Sequence, residues 1–458
     1  MRIIRATGGL WALLVISLFN QGSVWAQTNA EVNAGIQFNF STPGARSLGF
    51  GGAFLALADD ATAAFTNPAG MTVLTRPELS VEGRRWDFTS EFTDFGHAFG
   101  DPTGNGVDTV AGLRTGDSSS NTTGMSFLSF VYPKNRFAAA FYRHELSNFE
   151  ANFRTQGAFF DADAASLFRF FPIDARMDLK LVNYGLSGAY QISDNFSVGL
   201  GISYYDFDMD SVTQRFFVDQ NDFFGAPNYS PDNVINSQFQ QGSDNDLAVN
   251  FGFLWKQGPH LSVGGVYREG PEFDFEARNI AGPAASSPGE VFAAQTARFR
   301  VPTVFGLGLA IHPTDETVIT FDYDHVDYSK LSEGTISIFF EPDDPAFNDA
   351  RRAALQRLEV DAANEVHLGF EYFFAKLKYP IALRAGTWWD PDHKIRFTGQ
   401  PDSSLEQREL AIPFRAGTDE FHYAVGLGIV FEQRFQIDAG ADFSDLVDTA
   451  SLSAVYRF

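Results

Sequence analysis

The chain has eight histidines (His97, His144, His260, His312, His325, His367, His393 and His422) and no cysteine. Without cysteine there is no disulfide, no thiolate nucleophile and no thiolate metal site. No histidine pair shows the His-Glu-x-x-His spacing that puts two ligands on one helix face. No Gly-x-Ser-x-Gly elbow presents a serine. Gly49-Phe50-Gly51-Gly52 is glycine-rich, but it lacks the full dinucleotide fingerprint and a strand before it. It is therefore not a phosphate cradle. A serine–histidine pair that meets only in space leaves no local trace, so hydrolysis stays open as a minor alternative. The chain is expected not to be an enzyme, with no catalytic residue, metal site or cofactor.

The remaining polar chemistry lies on strands with a two-residue period. In 421–432, Phe421, Tyr423, Val425, Leu427, Ile429 and Phe431 oppose His422, Ala424, Gly426, Gly428, Val430 and Glu432. In 434–443, Phe435, Ile437, Ala439, Ala441 and Phe443 oppose Arg434, Gln436, Asp438, Gly440 and Asp442. In 449–458, Ala450, Leu452, Ala454, Tyr456 and Phe458 oppose Ser451, Ser453, Val455 and Arg457. Segments 247–255 and 366–374 behave alike. Alternation over about ten residues is what a tilted strand needs to cross a bilayer. Residues expected to face inward include Arg300, His312, Asp322, Asp324, Glu365, His367, Glu371, Arg384, His422, Arg434, Asp438 and Asp442. They could hold a plug or meet a ligand's polar end, or pair with each other across a wet lumen.

Strands are expected near 79–90, 124–132, 136–148, 176–191, 195–208, 243–256, 260–276, 297–311, 316–328, 362–375, 380–390, 419–431, 434–443 and 449–458. That makes about fourteen, an even number, as bacterial single-chain barrels have. Tight turns at Pro133-Lys134-Asn135, Ser193-Asp194, Gln257-Gly258-Pro259 and Glu432-Gln433 alternate with mostly long linkers. One short end and one long end suit periplasmic turns and extracellular loops. The fold class is thus all-β, a transmembrane antiparallel barrel over 78–458. Gly270-Pro271 and Pro302 interrupt two strands, and proline there marks an edge or a bulge.

Composition agrees. The 458 residues include 49 Phe, yet only 44% are hydrophobic. Many aromatics in a polar average suit a wall that meets lipid outside and water inside. The formal net charge of −24 argues against nucleic-acid binding. Residues 1–26 read as a cleaved secretory signal, with Arg2 and Arg5, an apolar core from Gly8 to Phe19, and Val24-Trp25-Ala26 before the cut. That core is too short to span a bilayer, and no later run is long enough for a transmembrane helix.

Residues 27–77 are expected to make a polar lead-in over 27–43 and then a hatch, whose stretch 44–71 fits neither strand nor long helix. Ala53–Ala64 is expected to hold one or two short helices capped near Asp59-Asp60, and Asn67-Pro68 to end the last of them. The pieces Gly44-Ala45-Arg46, Gly49-Phe50-Gly51-Gly52-Ala53-Phe54, Ala58-Asp59-Asp60-Ala61 and Asn67-Pro68-Ala69-Gly70 resemble the N-terminal hatch of the FadL/TodX family of outer-membrane transporters for hydrophobic compounds. The resemblance implies a plug of short helices in the lumen. It implies gating at Asn67, Pro68, Ala69 and Gly70, and capture in an apolar groove between extracellular loops. It also implies a Pro–Gly interruption and sideways opening near 136–148, whereas this chain has neither Pro nor Gly between Arg136 and Glu150.

Loop phenylalanines supply capture candidates, Phe159 and Phe160 in one loop and Phe216, Phe217, Phe223 and Phe224 in another. Exposed aromatic patches of this size mark binding, although packing of loop on loop uses the same residues. A short helix over Pro345–Leu358, with Arg351, Arg352 and Arg357, could cover the mouth or touch lipopolysaccharide phosphates. Burying ten methylenes is worth roughly 8 kcal/mol, so micromolar capture needs little polar recognition. The expected function is passive uptake of long-chain fatty acids or similar hydrophobic molecules, aromatic hydrocarbons among them, across a Gram-negative outer membrane. The alternatives are a binding or secretion-accessory barrel and an outer-membrane lipase.

Overall fold

The computed structural model describes residues 42–163, 166–170, 172–218, 225–331, 353–401 and 405–458. The expected signal, Phe223, Phe224, Arg351 and Arg352 lie outside them.

The alternating segments become antiparallel wall strands. In chain order these are β1 (Glu78–His97), β2 (Gly112–Lys134) and β3 (Phe137–Arg154). A loop hairpin follows, β4 (Phe159–Asp163) and β5 (Ser166–Arg169). The wall continues with β6 (Ile173–Ser193), β7 (Phe196–Phe216), β8 (Val234–Gln257), β9 (Leu261–Arg268), β10 (Glu272–Ala281), β11 (Val291–Arg300), β12 (Val304–Thr314) and β13 (Thr317–Val326). After the loop strand β14 (Leu358–Glu359) come β15 (Ala363–Phe374) and β16 (Ile381–Asp390). After the loop strand β17 (Arg396–Phe397), which pairs with β14, come β18 (Glu420–Phe431), β19 (Phe435–Phe443) and β20 (Val447–Arg457). β20 pairs back onto β1 from Glu78↔Arg457 to Phe88↔Val447. The cylinder is closed and leaves no edge to satisfy in lipid. It has fourteen wall positions, because β9–β10 and β11–β12 are single expected strands broken at Gly270-Pro271 and Pro302. Three of the short turns carry residues with positive φ: Asn135, Gly258 and the Glu432-Gln433 pair. Glu432 and Gln433 both have positive φ, the geometry whose twist suits a two-residue hairpin.

Alternation sets the two faces. On β18, Phe421, Tyr423, Val425 and Leu427 are exposed while Glu420, His422 and Ala424 are buried. Arg434 departs from the expected inward set. It sits exposed in the turn before β19. The longer strands show something more. On β7 the outward residues Leu200, Ile202 and Tyr204 are followed by Asp206, Asp208 and Asp210, while the inward ones go from Gly199, Gly201 and Ser203 to Tyr205, Phe207 and Met209. β6 reverses likewise, with outward Tyr184, Leu186 and Tyr190 below Lys180, Asp178 and Arg176. The wall is inside-out in lipid. Above lipid it is built like a water-soluble sheet. There Phe88, Phe92, Phe149, Phe207, Phe273 and Phe299 join Trp86, Leu146, Met177 and Met209 in one inward apolar cluster.

Two seams interrupt the ladders. β2 and β3 pair only from Phe127↔His144 down to Lys134↔Phe137. Above that, Ser118, Ser120 and Thr122 donate hydroxyls to the carbonyls of Asn152, Glu150 and Asn148, and β3 bulges between Glu145 and Ser147. The strand departs from a regular ladder although it has neither Pro nor Gly between Arg136 and Glu150. Arg143 and Asn148 both bond the Glu145 carboxylate, and this local polar cluster holds the bulge. The second seam lies between β8 and β9–β10. There Asp246 and Asp244 accept the amides of Glu272 and Asp274 in place of backbone carbonyls.

Candidate functional site

Residues 42–77 fill the lower lumen. They form α1 (Ala45–Gly49), a run of turns, α2 (Ala63–Thr66) and a 3-10 turn over Pro68–Val73. The helices flank the expected 53–64 segment because the wall claims its backbone. Leu55 donates its amide to the Asp322 carboxylate at 2.8 Å, and its carbonyl accepts from Asn67 Nδ2 at 2.9 Å. Asp60 accepts from the Thr62 amide and hydroxyl, which starts the turn into α2.

Wall side chains hold the exposed carbonyls and amides of the plug. His367 Nδ1 donates to the Gly51 carbonyl at 2.7 Å, Asn250 Nδ2 to Phe65, Arg268 Nη2 to Thr66, Ser129 to Ala61 and Ser187 to Ala64. Glu82 accepts the Gly44 amide. Arg46, on α1, pairs with Asp59 and approaches Glu371, which Arg384 links to Asp438. Thus seven of the twelve residues expected to face inward, Asp322, Asp324, Glu365, His367, Glu371, Arg384 and Asp438, either bond the plug or meet one another there, as a buried polar network requires. Close packing does the rest. Gly199, Gly252, Gly264, Gly308, Gly369, Gly386, Gly426 and Gly440, one from each of eight wall strands, lie so close to plug backbone or side chain that a Cβ would collide.

The gating candidates sit in this contact. Asn67, Pro68, Ala69 and Gly70 are buried. Asn67 Nδ2 donates to the wall carbonyl of Phe253 at 3.0 Å as well as to Leu55, and Asn67 Oδ1 accepts the Ala69 amide. The asparagine thereby ends α2, starts the 3-10 turn and ties both to β8. A Cβ on Gly252 would lie 2.2 Å from Asn67 Oδ1, and one on Gly70 would lie 2.3 Å from the Ala58 carbonyl.

Above the plug lies a partly open chamber. Its floor is Leu48, Gly51 and Gly52, and its apolar side is Trp86, Phe88 and Leu146, continuous with the upper cluster. The opposite side is polar and aromatic. Trp388 is stacked between His367 and His422, with ring centroids 5.0 and 3.7 Å away, and Tyr328 stacks on His393 at 4.1 Å. Asp442 accepts from His422 Nδ1 and Trp388 Nε1. Among the described residues no group of side chains is arranged to hold a metal ion.

The loop phenylalanines are elsewhere. Phe159, Phe160 and Phe216 are buried in loop packing, and Phe217 is half exposed. Phe160 stacks on Phe168, and Phe216 meets Tyr229 edge-on. The inward phenylalanines of the upper strands and the chamber's aromatic wall were missed in the sequence. The signal for the former is the phase reversal in Tyr204-Tyr205-Asp206-Phe207-Asp208-Met209-Asp210, where apolar residues change face.

Comparison with known proteins follows the same lines. A family model described as outer membrane protein transport protein (OMPP1/FadL/TodX) matches residues 24–452. Outer membrane protein P1 of Haemophilus influenzae is 24% identical over 418 residues, covering 84% of this chain and 80% of the relative. The crystal structure of a Pseudomonas aeruginosa FadL homologue superposes with a TM-score of 0.58 at 15% identity, covering 92% of this chain and 99% of that one. That of the P. putida toluene transporter TodX gives 0.56 at 12% identity, covering 91% and 99%.

Proposed function

The chain belongs to the outer membrane protein transport protein family (OMPP1/FadL/TodX), and from that premise we propose that it takes up hydrophobic small molecules passively across the Gram-negative outer membrane. Long-chain fatty acids and aromatic hydrocarbons belong to that class. The observation that carries this reading is the apolar lining of the upper lumen, which runs into a chamber floored by the plug. A solute leaving water would lie against Phe, Met and Leu side chains, gaining about 25 cal/mol for each Å² of apolar surface covered. It would then reach the Gly51-Gly52 turn that His367 holds.

Four parts make up the proposed route. Residues 1–26 serve as the export signal. First capture of the solute is assigned to the two phenylalanine loops, with Phe159 and Phe160 in one and Phe216, Phe217, Phe223 and Phe224 in the other; Phe217 is the exposed member among the described residues. The Asn67–Gly70 contact is the gate, because one side chain there spans two plug segments and the wall. The β2–β3 seam is the sideways exit, since hydroxyl-to-carbonyl bonds there replace a continuous ladder. Deleting the gene in its host is expected to slow uptake of labelled toluene, of a labelled long-chain fatty acid, or of both. Wild-type rates for both would overturn the reading.

A further inference from the structure

We propose that the chamber above the plug selects hydrophobic molecules whose polar end donates hydrogen bonds, an amine above all and then a hydroxyl, and disfavours carboxylates. The inference rests on the transport reading and narrows its cargo.

It starts from the charges that line the chamber. Five carboxylates face it, Glu365, Asp390, Asp392, Glu420 and Asp442, against two fixed cations, Arg84 and Lys394, and three histidines each already set against one of those carboxylates, His367 against Glu365, His393 against Asp390 and His422 against Asp442. Both cations are already committed. Arg84 Nε and Nη2 bond Glu82 Oε1 at 2.9 and 2.7 Å, and Lys394 Nζ lies 3.4 Å from Glu91. Neither Glu82 nor Glu91 lines the chamber. An incoming carboxylate would therefore find no free Lys or Arg among the described lining residues. It would face like charges in a site walled by protein, where repulsion is stronger than in water.

The second observation concerns hydrogen bonding. Asp442 is buried, and its Oδ2 accepts from His422 and Trp388 while Oδ1 has no partner. Glu420 is buried too. Its Oε2 accepts the Leu446 amide and the Ser444 hydroxyl lies beside the carboxylate, while Oε1 itself has no hydrogen-bond partner. Two buried acceptors thus lack donors on the rim of one chamber, and a buried polar group left without a partner is costly. A ligand ammonium or hydroxyl supplies the missing donor. The faces of Trp388 are covered by histidine rings, so the ligand's apolar body belongs instead against Trp86, Phe88 and Leu146.

The test uses three water-soluble molecules that share a phenyl ring and a short tether: 2-phenylethylamine, 2-phenylethanol and phenylacetate. Binding to the full mature barrel in amphipol is measured by calorimetry. The amine is expected to bind tightest and phenylacetate weakest, with a ratio of at least about tenfold between them. Glu420→Gln and Asp442→Asn are each expected to move that ratio toward one. Heat-modifiable migration confirms that each variant has folded, and Glu420→Gln carries the test if Asp442→Asn has not. Phenylacetate binding as tightly as the amine would overturn the proposal, as would a ratio unchanged in the folded variants. Binding of none of the three would overturn it too. In that last case, continued gene-dependent uptake of labelled toluene leaves the transport reading standing, and its absence removes both.

Discussion

Asn67 shows how much one side chain can hold. Its amide nitrogen serves the carbonyls of Leu55 and Phe253, and its oxygen serves the Ala69 amide. Asn67→Leu leaves these buried groups unpaired, at about 1–3 kcal/mol for each. The expected outcome is a loosened plug, read as greater sensitivity of cells to large polar antibiotics and as protease cleavage within 42–77. Gly252→Val should act the same way from the wall side, because its Cβ meets Asn67 Oδ1. His393 gives a separate test. Burial pushes its pKa down, but the Asp390 carboxylate 3.3 Å away outweighs this and raises it to about 9. A folded pKa above the unfolded one stabilises the loop fully below about pH 6.5, and that stability fades as pH rises through 9. Proteolysis of the 391–398 loop should therefore accelerate between pH 6.5 and 9.5 in the wild type, and much less in His393→Gln. Asn67 was legible because it sits in a motif. Glu420 and Asp442 were not singled out together, because their significance depends on which donors the fold leaves out.

At the scale of the strand, the two-residue period was legible wherever one face meets lipid, and the fourteen wall positions follow from it. The breaks at Gly270-Pro271 and Pro302 were legible too, because proline has no amide to give to the ladder. The bulge in β3 was not, since it comes from side chains that bond within the segment and not from a residue type that forbids a strand. The phase reversal makes a further prediction. Leu200 lies on the lipid face near mid-height of the apolar band, whereas Asp206 stands above it. Leu200→Arg should cost about 2–4 kcal/mol and Asp206→Arg about 0–1 kcal/mol. Equilibrium urea unfolding in liposomes measures both. Equal costs would mean that the boundary is not where the faces exchange.

Taken whole, the molecule is a closed wall and an inserted segment with separable roles. β20 closes on β1 through backbone pairs that do not involve residues 42–76. Deleting 42–76 is therefore expected to leave a barrel that still inserts and still shifts on heating in gels. It should conduct ions across planar bilayers far better than the wild type. The plug's existence was legible from composition and motif. Its fit to the wall was not, because neighbouring positions on eight strands meet it only after closure.

That fit has a consequence for the order of assembly. The glycines that meet the plug leave no slack between cork and staves, so a finished cylinder could not admit the cork through its side. The front end of the chain is therefore expected to be seated before the last stave is drawn against the first.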